Sequence, residues 1–246
     1  MKKLFGLLFL LLMACATKVE TPYGFTYREI TTKPYLLASW QKVTDVNAPV
    51  RIYIEGDGYA FNHAGQPTSN PTPKGRFMRD LAFNDPNPNV VYLARPCQYV
   101  EDEQCSYSSF AWTTGRFSKA VVDSMSEAVE QIASNRPVVL IGYSGGAMIS
   151  GLMIGRNTNL NVQKWITIAG VLNHTAWTNY HKVRPLLDSL EMRSIPNVAQ
   201  IHFAGEKDRV MPAVLIQQYA PLNTAYIVSG ASHNAGFESI YQYIYQ

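Results

Sequence analysis

The sequence predicts an α/β fold, a mostly parallel, twisted sheet with helices on both faces. Three observations predict it. Short apolar, β-branched runs alternate with segments of helical period from residue 25 onward, the pattern of strands joined by crossover helices. One run, "PVVLIGY" at 137–143, is apolar almost without a break, as in a central parallel strand covered on both faces. The chain has 246 residues, 47% hydrophobic and 16% charged, enough to bury a large core within one domain.

In order, Phe25–Ile30 and Tyr35–Trp40 read as strands separated by "TTKP". "VRIYIEG" (50–56) is a buried strand ended by glycine. The loop Asp57–Lys74 is long and rich in Gly, Pro and Asn, and a first helix is expected within Gly75–Ala82. "NVVYLARP" (89–96) supplies the next strand. In Arg116–Ser134, Val121, Val122, Met125, Val129 and Ile132 recur near the helical period, so this segment is a helix. Beyond "PVVLIGY", "GAMISGLMIG" (146–155) reads as a largely buried helix and "KWITIAG" (164–170) as a strand. A short helical insertion is expected near Val183–Met192, and the segment from Gly170 to Pro196 leaves room for at most a small cap. "AQIHFAG" (199–205) and "TAYIVSG" (224–230) are further strands, flanked by helices at 212–219 and 236–245. No repeat or low-complexity stretch interrupts this run, so residues 25–246 are read as one domain.

The first fifteen residues, "MKKLFGLLFLLLMAC", carry two lysines, eleven apolar residues from Leu4 to Ala14, and Cys15. The run is shorter than the ~20 residues a membrane-spanning helix needs and suits the apolar region of an export signal. Leu12-Met13-Ala14-Cys15 resembles the lipobox of bacterial lipoproteins. That resemblance implies a signal at 1–14, lipidation of Cys15, a tether over 15–24 and a stable membrane anchor of more than one acyl chain. Ala16 after the cysteine then implies sorting to the outer membrane, facing the periplasm. The competing reading is an ordinary cleaved signal with an incidental cysteine. Without Lys2 and Lys3 the formal charge of +3 falls to +1, which leaves nucleic-acid binding without a basic footprint. In an oxidising compartment Cys97 and Cys105, in "CQYVEDEQC", read as a local disulfide and not as a zinc site. Two free buried thiols are the alternative.

Chemistry concentrates in "GYSGG", residues 142–146, a G-x-S-x-G match between a predicted strand and a predicted helix. A serine hydroxyl attacks carbonyls only when a base takes its proton and a third group orients that base. Asp208, in "AGEKDRVMP" after one late strand, and His233, in "SGASHNAGF" after the next, offer those partners in loops. The serine, acid, histidine order at the ends of late strands resembles the α/β-hydrolases over residues 25–246. This resemblance implies Ser144 as nucleophile, His233 as base and Asp208 as orienting acid, with neither metal nor organic cofactor. Glu206 and Asp188 are the rival acids; His63, His174, His181 and His202 are the rival histidines, with His202 read as a core residue inside a strand.

An oxyanion hole needs two backbone N–H groups. Gly145 offers one at the start of a helix, where the dipole favours an anion. The second is expected in "EGDG" (55–58), from Asp57 or Gly58, where α/β-hydrolases often have His-Gly. The Asp57 carboxylate must then turn away from the site. "EGDGY" as a plain tight turn is the bland alternative. Tyr107, Phe110 and Trp112 follow the cysteine pair and are equally compatible with lining a substrate pocket or packing the loop down. The sequence thus favours an envelope serine hydrolase acting on an ester or thioester of a small or acyl substrate. An acyltransferase or peptidase on the same triad, or a non-catalytic lipoprotein that uses the fold for binding, are the alternatives.

Overall fold

The computed structural model describes residues 20–157 and 159–246. The expected signal at 1–14, Cys15 and the first part of the tether lie outside these residues.

Eight strands form one sheet: β1 (Thr26–Thr31), β2 (Leu36–Val43), β3 (Val50–Ile54), β4 (Asn89–Leu93), β5 (Val138–Tyr143), β6 (Val162–Ile168), β7 (Ala199–Gly205) and β8 (Ala225–Val228). Their spatial order is β1-β2-β4-β3-β5-β6-β7-β8. β2 is antiparallel to both neighbours, and the remaining pairs are parallel. The described helices are α1 (Phe77–Phe83), α2 (Glu103–Ser106), α3 (Lys119–Ala133), α4 (Gly145–Arg156), α5 (His174–His181), α6 (Ala213–Tyr219) and α7 (Tyr241–Ile244).

The unbroken apolar runs of the sequence resolve into two faces, because successive strand side chains point to opposite sides. In β5, Val138 and Leu140 enter one core and Val139 and Ile141 the other. β3 and β4 repeat the division, with Ile52, Ile54, Val91 and Leu93 opposed to Tyr53, Val90 and Tyr92. The first core is closed by α3, α4 and α6, through Val121, Met125, Val129, Met148, Leu152, Leu215 and Ile216. The second is closed by α1 and the chain end, through Met78, Leu81, Phe237, Ile240 and Ile244. Each aliphatic side chain so buried contributes about 1.5–3 kcal/mol. That burial is why β5, whose first five residues are buried throughout, forms a rigid support for the loop that follows it.

Three departures from the sequence reading have physical causes. α3 starts at Lys119, where the Ser118 side chain accepts from the Val121 N–H, so Arg116 and Phe117 precede the helix. Their side chains are thereby released toward the site. The helix expected near Val183–Met192 is absent, and the helix in that insertion is α5. Asn173 caps it by accepting from Ala176 N–H at 2.6 Å, and Lys182 ends it with φ 54°. Pro185, lacking an N–H, then disfavours helix in the segment that follows. The chain end forms a 3-10 turn (Glu238–Ile240) and the one-turn α7, shorter than the segment expected at 236–245.

Candidate active site

β5 delivers Ser144 into a tight turn and α4 leaves from it. Ser144 has φ 50° and ψ −121°, a backbone region that costs a non-glycine residue about 1–3 kcal/mol. Its surroundings impose that geometry. The Ser144 N–H donates to the Ile168 carbonyl at 3.0 Å, and its own carbonyl accepts from Ala147 N–H at 3.1 Å and Val171 N–H at 3.0 Å. The flanking glycines are steric requirements. A Cβ on Gly142 would lie 2.7 Å from Ala147 Cα and from the Gly146 carbonyl oxygen, and one on Gly146 would run into the carbonyls of Ile54 and Glu55.

Asp208 leaves β7 in a turn that fixes its carboxylate. Oδ1 accepts from the N–H groups of Val210 and Met211, both at 2.8 Å, and the side chain is fully buried. Oδ2 lies 2.8 Å from His233 Nδ1, and His233 Nε2 lies 3.1 Å from Ser144 Oγ. Tyr143 packs beside His233 with ring centroids 5.2 Å apart. The structure therefore brings Ser144, His233 and Asp208 into one hydrogen-bonded line.

The rival residues lie elsewhere. Glu206 is exposed and accepts from Ser229 and Gly230, and Asp188 is exposed in the insertion. His63 is exposed and His181 bonds the Val210 carbonyl. His202 is a core residue of β7 held between Thr167 and Gln200, and burial pushes its pKa down to about 4. His174 is buried against Phe117 and lines the cleft, away from the Ser144 line.

The acidic loop after β3 is resolved by ion pairing. Asp57 bridges two buried guanidiniums: Oδ1 bonds Arg95 Nη1, and Oδ2 lies 2.7 Å from Arg116 Nη1. Burial by itself would push the Asp57 carboxyl up, but Arg116 and Arg95 outweigh it and hold the group below the usual carboxylate range. The carboxylate abuts Gly145 so closely that a Cβ there would overlap Oδ1. The side chain is spent on arginines while the Asp57 and Gly58 N–H groups have no hydrogen-bond acceptor among the described residues. Glu55 is buried beneath the loop, accepting from Gly56 N–H at 2.8 Å and from Tyr92 OH at 2.7 Å. Burial pushes its carboxyl pKa up, against the pull of those two hydrogen bonds. The Asp57 carboxylate is thus turned onto two arginines, and the Glu55 carboxylate is held by Tyr92 and its own loop.

Ser144 and His233 open into a cleft of about 430 Å³. Its walls include Tyr59, Lys74, Arg116, Trp177, Leu186 and Met211. Arg116, Lys74 and Trp177 carry no linear pattern that marks them as cleft residues, and His174 entered the sequence reading only as a rival histidine. Tyr107, Phe110 and Trp112 do not line this cleft. Trp112 is buried with its Nε1 donating to the Thr68 carbonyl, and Tyr107 is exposed. Cys97 and Cys105 are joined as a disulfide with Cα atoms 5.5 Å apart. Within the closed loop, Asp102 Oδ2 accepts from Leu36 N–H at 2.6 Å and ties the segment to β2.

No protein-family model matches the chain, and no curated protein matches its sequence. Solved structures are similar to it in three dimensions. The Pyrococcus furiosus esterase Pf2001 is 13% identical, with a TM-score of 0.59 over 90% of this chain and 91% of that one. An α/β serine hydrolase without lid from Xanthomonas campestris is 12% identical, with a TM-score of 0.55 over 91% and 94%. An α/β serine hydrolase homologue from Coxiella burnetii is 16% identical, with a TM-score of 0.54 over 89% and 93%. At such identities the likeness carries the architecture alone: this chain has the α/β-hydrolase fold.

Proposed function

We propose that the chain is a serine hydrolase of the cell envelope that cleaves a carboxylic ester or thioester through an acyl-enzyme. The observation that carries this reading is the line Asp208–His233–Ser144, with contacts of 2.8 and 3.1 Å, at the floor of an open cleft. His233 Nε2 takes the Ser144 proton as Oγ bonds to the substrate carbonyl carbon, and the carbonyl electrons move onto its oxygen. Asp208 holds Nδ1 and stabilises the imidazolium. Collapse of the intermediate breaks the bond to the leaving alcohol or thiol, which departs with the proton from His233. Water then repeats the sequence and frees the acid.

The developing oxyanion is received by the N–H groups of Gly145 and of Asp57 or Gly58. Each such donor contributes about 3–4 kcal/mol. Gly145 opens a twelve-residue helix, whose positive end favours the same charge. This chemistry uses no metal or organic cofactor. Acyl chains on Cys15 hold the enzyme to a bacterial membrane, at the outer membrane facing the periplasm.

Ser144→Ala tests the reading. Turnover of a short activated ester and covalent labelling by a fluorophosphonate should both vanish at unchanged thermal stability, whereas undiminished turnover overturns the assignment. A folded wild-type chain that neither turns over esters nor labels would favour a binding lipoprotein.

A further inference from the structure

A second cavity, of about 720 Å³, adjoins the cleft and shares the wall of Tyr59, Pro73 and Lys74 with it. Its cations are Lys74, Arg76 and Arg79. Arg76 is exposed and paired with Asp80, and Lys74 stands with Nζ 3.4 Å from the centroid of the Tyr59 ring. Arg79 is the anomalous member. It is only 9% exposed, yet among the described residues no carboxylate lies within ion-pairing distance of it. Its Nη1 donates to the Tyr99 hydroxyl at 3.3 Å and its guanidinium lies 5.8 Å from the Tyr99 ring centroid; the buried Glu55 carboxylate feels its charge but is joined to it by hydrogen bonds only through the Tyr99 and Tyr92 hydroxyls. A guanidinium withdrawn from water normally has an anion beside it. Here the cavity that Arg79 lines is polar and roomy enough to admit one. The carboxylate on its wall, Glu20, is exposed and acts on Arg76.

The topology decides which part of a substrate would reach this cavity. Ser144 follows β5, which has β3 on one side and β6 and β7 on the other. The segments after β6 and β7 line the cleft with Val171, His174, Trp177, Leu186 and Met211, whereas the loop after β3 supplies Tyr59, Ala60, Phe61, Pro73 and the cation Lys74. Lys74 and the cationic cavity it borders put a charged part of the substrate on the β3 side, which leaves the other side to the uncharged acyl group and places the leaving alcohol over the second cavity.

Building on the hydrolase reading above, we propose that this second cavity is an anion subsite: it takes a phosphate group carried by the alcohol part of the ester, with Arg79 and Lys74 as its cationic ligands. The substrate class is then an acyl ester of a phosphorylated alcohol.

The test compares two soluble esters with the same short acyl chain, one of glycerol and one of glycerol phosphate. For the wild-type full chain, kcat/KM should be at least about ten-fold higher for the phosphorylated ester. Arg79→Gln and, on the exposed side, Lys74→Gln should each cut that ratio several-fold, chiefly through KM. Inorganic phosphate should compete with the phosphorylated ester. The Ser144→Ala chain reports binding alone and should bind the phosphorylated ester at least about ten-fold more tightly. Equal kcat/KM for the two esters in wild type, or a ratio untouched by Lys74→Gln, overturns the subsite. If wild type hydrolyses neither ester while Ser144→Ala still prefers the phosphorylated one, the hydrolase reading fails and the subsite stands. If both esters are hydrolysed and bound alike, the subsite fails and the hydrolase stands.

Discussion

Asp57→Asn removes one negative charge from between two guanidiniums while keeping the shape of the side chain. Arg95 and Arg116 have side chains only 3% and 8% exposed, and Asp57 is 26% exposed. Removing one partner of a buried pair costs about 3–5 kcal/mol, since the other charge stays buried and unpaired. Two arginines lose their counter-ion here, but the quarter-exposed aspartate lets water reach the site, so the lower end applies, about 3 kcal/mol. The amide adds a geometric penalty, because its NH₂ group must face a guanidinium N–H. For a domain of this size each kcal/mol moves Tm by about 2–4 °C, which predicts a fall of roughly 6–12 °C in a calorimetric scan. The exposed Arg76–Asp80 pair, with side chains 64% and 45% exposed, supplies the control: Asp80→Asn should cost no more than about 1 kcal/mol. Because the Asp57 pKa is depressed, its contribution is present above the unfolded value. It is lost as pH falls through the folded one, so the gap between wild type and variant should close below about pH 4. An Asp57→Asn shift no larger than that of Asp80→Asn refutes the claim that this carboxylate holds the loop after β3 together.

Two further outcomes concern stability. Burial lowers the His202 pKa to about 4, so the unfolded chain binds a proton that the folded chain refuses between about pH 6.5 and 4. Acidification from pH 7 to 5 should therefore cost about 2 kcal/mol through this group, and denaturant titrations of His202→Gln should show a correspondingly weaker pH dependence over that interval. Replacing both Cys97 and Cys105 by alanine opens a loop with a sequence separation of 8, which should lower unfolding free energy by about 2.5 kcal/mol in urea. A change below ~0.5 kcal/mol would mean that the Asp102 bond to Leu36 already pins the segment.

Local patterning made a large part of this protein legible. Continuous apolar runs such as 137–143 can only be satisfied by a strand buried on both faces, so the central parallel sheet was readable. The glycines at 142 and 146 exclude other residues through contacts with chain only a few positions away and with the neighbouring strand, so the elbow was readable too. Asp208 and His233 could be placed because each follows a recognisable strand. Boundaries that depend on a single cap, such as Ser118 and Asn173, were less legible: Arg116 was read as helical, and the insertion helix was expected about ten residues too late.

By itself, then, the sequence determined the layered α/β architecture and the serine turn, because both follow from short-range sterics and the period of apolar residues. Only the tertiary structure decided what the acidic "EGDG" loop does. Arg95 and Arg116 lie 38 and 59 residues beyond Asp57, and no local pattern records that three separate loops converge there. A charge pair closed over such separations is set by the packing of the whole sheet. The same is true of Arg79, whose hydroxyl partner Tyr99 lies 20 residues further along the chain.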